Sequence, residues 1–280
     1  MREWTERALN LAQVKGATYA DIRIVRRETQ DIAVKNGVVQ RLALDGTQGF
    51  GVRVIADGAW GFASSHALAP KEIDRVTAQA VEIAKASALT KAEDVDLGPP
   101  EVHVGRYRTP IEVDPFQVSL EEKIALLLEA DRQARSVPGV AVATSSLAFW
   151  REDKTFASSE GSFIEQEIIE SGGGVSAVAV AEGEMQRRSY PNSFGGDQAT
   201  AGYEVIEQYD LVGHARRVGE EAVALLSAPQ CPSGVTTLIL DGSQLALQIH
   251  ESCGHPIELD RVFGTEAAFA GTSFLTPEKL

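Results

Sequence analysis

One short segment of this 280-residue chain groups side chains that do chemistry together: His250-Glu251-Ser252-Cys253-Gly254-His255. Two imidazoles flank a carboxylate in the pattern H-E-x-x-x-H. The common zinc-peptidase pattern is H-E-x-x-H, whose histidines at i and i+4 share one helix face. Here the spacing is i and i+5. On a regular helix, steps of about 100° leave these rings roughly 140° apart, so they cannot share one ion. A π-bulge loops out one residue and returns both rings to one face, and such bulges occur often at functional sites. Gly254 is expected to ease that distortion, and Pro256 already weakens the helix end.

The chemistry that fits is metal-assisted amide hydrolysis. Zinc takes imidazole nitrogen readily and, in catalytic sites, keeps one position for water. The ion lowers that water's pKa and polarises the scissile carbonyl. His250 and His255 are the candidate metal ligands. Glu251 is the candidate general base, taking the water's proton and passing it to the leaving amine. A catalytic zinc also needs a third protein ligand. Glu258, Asp260 and Glu266 lie downstream and His214 and Cys231 upstream, none at a diagnostic spacing. Cys253 is expected on another face from the rings, as a packed thiol. It does not pair with His255 as a nucleophile, because i and i+2 do not face each other on a helix. The same pattern also fits a capped, buried helix with two hydrogen-bonded histidines, and both readings stay open on pattern alone.

Other reactive signatures are missing. There is no G-x-S-x-G elbow. Gly172-Gly173-Gly174 is not followed by the lysine of a phosphate loop. Gly49-Phe50-Gly51 lacks a third glycine and reads as close packing between strands. His66 and His103 stand alone.

The motif needs a helix to present it, and the spacing predicts one from about Ser243 to His255. Asp241 caps that helix, with Gln244 as its capping-box partner. The β-branched run Val235 to Leu240 is expected as the strand that feeds it. Upstream, residues 3–15 carry Trp4, Ala8, Leu11 and Ala12 at helical spacing, ending at Gly16. A β-rich tract follows, with turn signals at Asn36-Gly37, Asp45-Gly46 and Asp57-Gly58. It reads as four or five antiparallel strands covered by an amphipathic helix over 70–87. Prolines 99, 100, 110 and 115 break residues 96–116. A helix over 119–135 comes next. Strands over 140–190 follow, with turns at Glu160-Gly161 and Glu182-Gly183 and with Ser171-Gly172-Gly173-Gly174 between two of them. A helix over 204–226 closes this part.

The fold class is therefore α+β: antiparallel sheets with covering helices in two successive units, then the start of a β-rich domain. The ranges are 1–95 for the first unit, 96–118 for a linker, 119–228 for the middle unit and 229–280 for the third. A third unit opened at Val235 has fewer than about fifty residues to close a core, which is hard without a staple. The chain is thus expected to be a fragment that ends early in its last domain.

Composition narrows the function classes. There are 26 Lys and Arg against 40 Asp and Glu, a net charge of −14. A duplex binder needs a basic footprint, so nucleic acid is a poor partner. Two cysteines make no disulfide framework and suit a reducing compartment. The N-terminus is charged and is no signal peptide. No stretch approaches the ~20 apolar residues of a membrane span. The expectation is a cytoplasmic protein without a membrane partner.

The run from Leu240 to Asp260, with His250-Glu251-x-x-x-His255 followed by Pro256-Ile257-Glu258-Leu259-Asp260, resembles the signature of the TldD/PmbA metallopeptidase family. Gly16-Ala17-Thr18-Tyr19-Ala20-Asp21 resembles the family's opening segment. Gly49 to Val54 with Gly58 to Phe62 resembles its first sheet. The resemblance spans Ala8 to Leu275. It implies a cytoplasmic zinc-dependent peptidase that hydrolyses unfolded or unstructured peptides, peptide precursors included. It implies a homodimer, or a heterodimer with a catalytically silent relative, around a chamber. His250 and His255 are then the zinc ligands and Glu251 the base. The third ligand is then a cysteine far beyond residue 280, in a C-terminal metallopeptidase domain of which 229–280 is the truncated start. Neither Cys231 nor Cys253 matches it. Some members are labelled modulators of DNA gyrase, to which the −14 charge lends no support. A non-catalytic partner subunit and a protein-interaction module of the same fold are the alternatives. Substrate peptides are expected to lie extended on a sheet edge, with the strand around Gly174 to Ala181 as candidate.

Overall fold

The computed structural model describes residues 1–265 and 267–279. It opens with helix α1 (Arg2–Val14), whose Ala8 and Ala12 are buried four residues apart on one face. Strands β1 (Tyr19–Lys35), β2 (Val38–Ala56) and β3 (Ala59–Ser65) follow, all antiparallel. Asn36-Gly37 and Asp57-Gly58 have positive φ at both positions, the conformation that matches a two-residue hairpin to the strand twist. Asp45-Gly46 is not a turn, so this region has three strands rather than four or five. Thr29 and Glu28 of β1 pair with Asp45 and Gly46, and the ladder carries β2 straight through. Helix α2 (Pro70–Ser87) lies on β3 through Gly61, where a Cβ would strike the Ala80 carbonyl.

Strand β4 (Val104–Arg108) falls in the proline-rich stretch and pairs parallel with β6 (Phe163–Ala181). Ser119 caps helix α3 (Leu120–Arg135) by accepting from the Glu122 N–H at 3.1 Å. Strand β5 (Val140–Ser158), β6, β7 (Glu184–Tyr190) and the short β8 (Asp197–Ala199) complete one sheet of order β3-β2-β1-β5-β6-β4, with β7 and β8 also on β6. Gly172, Gly173 and Gly174 lie inside β6, not between strands. They are needed because other backbone crosses them: a Cβ on Gly174 would meet the Gly195 carbonyl, and one on Gly173 would meet Leu147 and Leu211. Within the stretch Gly174 to Ala181, residues 175–179 pair with β5 on one side and β7 on the other, so they offer no free edge to a peptide.

The sheet's apolar side chains serve two cores on one face. Ile22 and Ile24 of β1 pack with Ala8, Val76 and Ala80 beneath α1 and α2. Ile32 and Val34 pack with Leu127, Ala134, Leu211 and Val218 beneath α3 and α5 (Leu211–Leu225). All four strand residues are even-numbered, and alternation puts them on one side. The fold class is α+β.

The helical stretch 204–226 is two helices, α4 (Glu204–Tyr209) and α5, because Asp210 sits at φ 44° and its carboxylate caps α5 at Gly213 N. Beyond it, Val235 to Leu240 forms no strand, contrary to its β-branched pattern. A strand requires a paired neighbour, and among the described residues none lies beside it; Val235, Leu238 and Ile239 are exposed. Among the described residues after 228, Val262 alone is buried. No helix among the described residues is long and apolar enough to cross a membrane.

Candidate metal centre

Helix α6 (Gly242–Ile249) presents the motif. Its N-terminus is capped by Asp241, whose Oδ1 accepts from Gln244 N at 2.8 Å and from the Ser243 hydroxyl at 2.8 Å. Those donors, the Gln244 amide first, hold the Asp241 carboxyl below its ordinary range. The helix then widens. His250 to Gly254 make a π turn, in which the His255 N–H donates to the His250 carbonyl five residues back. A single 3₁₀ turn, His255–Ile257, follows, with Pro256 at its start.

The widened turn does what the spacing demands. Five residues now make about one turn, and the His250 and His255 rings meet edge-on with centroids 4.6 Å apart. Glu251 comes between their outer nitrogens: its Oε1 is 3.9 Å from His250 Nε2 and its Oε2 is 3.8 Å from His255 Nε2. One ligand atom from each of the three residues lies within 4.8 Å of the others. Among the described residues neither Nε2 makes a hydrogen bond, since the Glu251 oxygens at 3.8 and 3.9 Å are too far for one. Two unclaimed imidazole nitrogens beside a carboxylate are a donor set that zinc accepts.

Gly254 is not what permits the turn. Its φ of −59° and ψ of −59° are ordinary right-handed helix, open to any L-residue. No residue of α6 or the π turn is buried in this chain. His250 and Glu251 are exposed, and His255 is 31% exposed. Cys253 is exposed rather than packed, and so is Cys231.

The other candidate ligands lie elsewhere. Glu258 turns to the far side of His255: its Oε1 is 2.6 Å from Nδ1, and its Oε2 accepts from Arg261 Nε at 2.5 Å. The His255 hydrogen bond, with Arg261 behind it, holds the Glu258 carboxyl low. Arg261 belongs to helix α7 (Leu259–Phe263). A returning segment braces this turn, as Ser273 Oγ donates to the Pro256 carbonyl at 2.8 Å and Ser273 N to the Arg261 carbonyl at 3.0 Å. His214 stacks on Tyr190 with centroids 4.1 Å apart. Asp260 is outside the His-Glu-His cluster. Glu266 lies outside the described residues. The contact of Glu258 with His255 escapes the sequence reading, which sees Glu258 only as a possible ligand; the signal was the spacing of His255, Glu258 and Arg261 at successive steps of three.

Comparison with known proteins places the chain in a family through the segments that precede the motif. A family model described as PmbA/TldA metallopeptidase domain 1 matches residues 20–84. One described as the PmbA/TldA metallopeptidase central domain matches residues 113–226. A metalloprotease of Methanothermobacter thermautotrophicus is 32% identical over 253 residues, covering 90% of this chain and 53% of the relative. A metalloprotease of Methanocaldococcus jannaschii is 28% identical over 254 residues, covering 90% and 54%. The crystal structure of TldE from Thermococcus kodakarensis shares the fold, with TM-score 0.61 and 16% identity over 79% of this chain and 47% of that one. This chain spans about half the length of the curated relatives it matches.

Proposed function

Because the chain belongs to the PmbA/TldD metallopeptidase family, we propose that it carries two metal ligands and the general base of a zinc-dependent peptidase. The observation that carries the reading is the π turn that gathers His250, Glu251 and His255. His250 and His255 would hold the ion through Nε2, and zinc is the metal that two imidazoles favour over hard-ligand ions. When bound, zinc supplies a Lewis acid that lowers the pKa of water and polarises the scissile carbonyl.

The chain's own part is proton handling. Glu251 reaches toward both nitrogens, so its carboxylate is placed to take a proton from water and return it to the leaving amine. Its exposure suits a base that must meet water and substrate. The substrates are peptides without fixed structure, which lie extended and present their amide to Glu251; peptide precursors belong to that class. A related subunit, identical or not, is its partner. In support, Leu247 and Ile249 of the motif helix and Ile257 and Leu259 after it are exposed apolar side chains that a larger assembly would cover. The cytoplasm is the compartment, in keeping with two exposed, unpaired cysteines.

Zinc content and peptidase activity of the protein in its full length test this. Glu251→Gln should keep zinc and lose activity on an unstructured peptide by about 10²–10⁴-fold, the range for a positioned base. His250→Ala with His255→Ala should lose the zinc. Unchanged activity in Glu251→Gln refutes the base, and undiminished zinc in the histidine variant refutes the ligands.

A further inference from the structure

We infer that Glu258, clamped by Arg261, is a positioning residue that fixes the tautomer and orientation of His255. The inference rests on the reading of His255 as a metal ligand given above. An ionised carboxylate only accepts hydrogen bonds. Glu258 Oε1 lies 2.6 Å from His255 Nδ1, so Nδ1 is the nitrogen that donates, and in the neutral form of the ring it is Nε2 that presents the lone pair. That nitrogen is the one that faces Glu251. The other carboxylate oxygen accepts from Arg261 Nε at 2.5 Å, which favours the carboxylate's place on the Nδ1 side of the ring.

Glu258 also occupies the N-cap position of α7, where an acidic side chain commonly accepts from the helix's free N–H groups. It makes no such bond. Its two oxygens are committed to the ring and the guanidinium instead. Among the described residues no carboxylate engages His250 Nδ1, so the pair is specific to the second histidine. That ring needs it more. His255 stands after the π turn, where the regular ladder has ended and Pro256 supplies no N–H. In metal sites a carboxylate on the nitrogen that does not bind the ion orients the ring and raises its basicity, and its loss costs about 10–100-fold in affinity.

Two readouts test this on the full-length protein. Imidazole ¹⁵N spectra of the metal-free protein at pH 8 should show His255 protonated at Nδ1. Glu258→Ala should move the proton toward Nε2 and weaken zinc binding by about 10–100-fold, measured by competition with a chromophoric chelator. Glu258→Gln keeps a carbonyl acceptor, so it should retain the tautomer and recover most of the affinity; it also serves if the alanine variant fails to fold. An unchanged tautomer with unchanged affinity in Glu258→Ala overturns the inference. Failure of the unsubstituted protein to bind zinc would instead refute the metal reading, and the tautomer shift would still decide whether Glu258 sets the ring.

Discussion

Lys123 is fully buried on α3, and its charge should make stability depend on pH in a defined window. Its Nζ donates to Gln30 Oε1 at 2.7 Å and to the Pro115 carbonyl at 2.5 Å, and sits 4.4 Å above the Phe149 ring. No carboxylate lies within ion-pair distance of it among the described residues. Burial pushes its pKa down from 10.5 to about 8, against a smaller upward pull from Asp114 and Glu122. The folded pKa is below the unfolded one, so between about 8 and 10.5 the unfolded chain binds more protons. Stability therefore rises with pH across that window. Each tenfold change in proton affinity is worth about 1.4 kcal/mol, so the full effect is at most roughly 3 kcal/mol, of which about 2 kcal/mol falls between pH 8 and 10. Tyr19 and Tyr203, pushed up to about 12 by burial, act the other way, but only above pH 10 where unfolded phenols ionise. The assay is urea denaturation from pH 7 to 10 of the protein and of Lys123→Met. Their difference cancels the titrations they share. It should change by about 2 kcal/mol in favour of the lysine protein between pH 8 and 10. A flat difference curve refutes the desolvated ammonium.

Two glycines should respond in opposite ways. At Gly61 a Cβ would collide with the Ala80 carbonyl and the Ala84 amide of α2, so Gly61→Ala must push the helix off β3. Overpacking of this kind costs about 1–3 kcal/mol, readable as a shift in the urea midpoint followed by circular dichroism; a change under about 0.5 kcal/mol would contradict it. At Gly254 the backbone is helical and the nearest atom to an added Cβ is the Ile249 carbonyl oxygen at 3.8 Å. Gly254→Ala should thus leave zinc affinity unchanged and slow amide exchange across 249–255, by the roughly 0.5–1 kcal/mol that alanine gains over glycine in a helix. A tenfold loss of affinity would show that the π turn needs glycine after all.

The elements legible in the sequence are those whose signal is local. Apolar spacing placed α1, α2 and α3, since a helix buries one face whatever it packs against. Asn36-Gly37 and Asp57-Gly58 were legible because the positive φ they supply is what a hairpin consumes. Asp45-Gly46 carries the same dipeptide chemistry, yet β1 offers a partner along its whole length and β2 runs on. The turn signal is permissive, and pairing decides. Val235 to Leu240 errs in the other direction, with strand-forming residues and no strand beside them. Gly172 to Gly174 look like a loop because glycine is read as freedom. In β6 they are room, taken by the backbone of residues 195–197 and by Leu147.

The site divides along the same line. That two histidines at i and i+5 require a widened turn follows from helix geometry alone, and the His255 N–H to His250 carbonyl bond supplies it. The placement of Glu251 follows too, because it rides on the same turn. What holds His255 in place does not follow from that spacing. Past the π turn the chain leaves the regular helix at Pro256, and residues three apart meet on a 3₁₀ turn joined to α7 instead of on α6. The i+5 spacing thus has a structural consequence beyond the turn itself. It moves the second histidine to the point where the regular ladder ends, and its orientation then depends on Glu258, Arg261 and the Ser273 brace rather than on helix backbone.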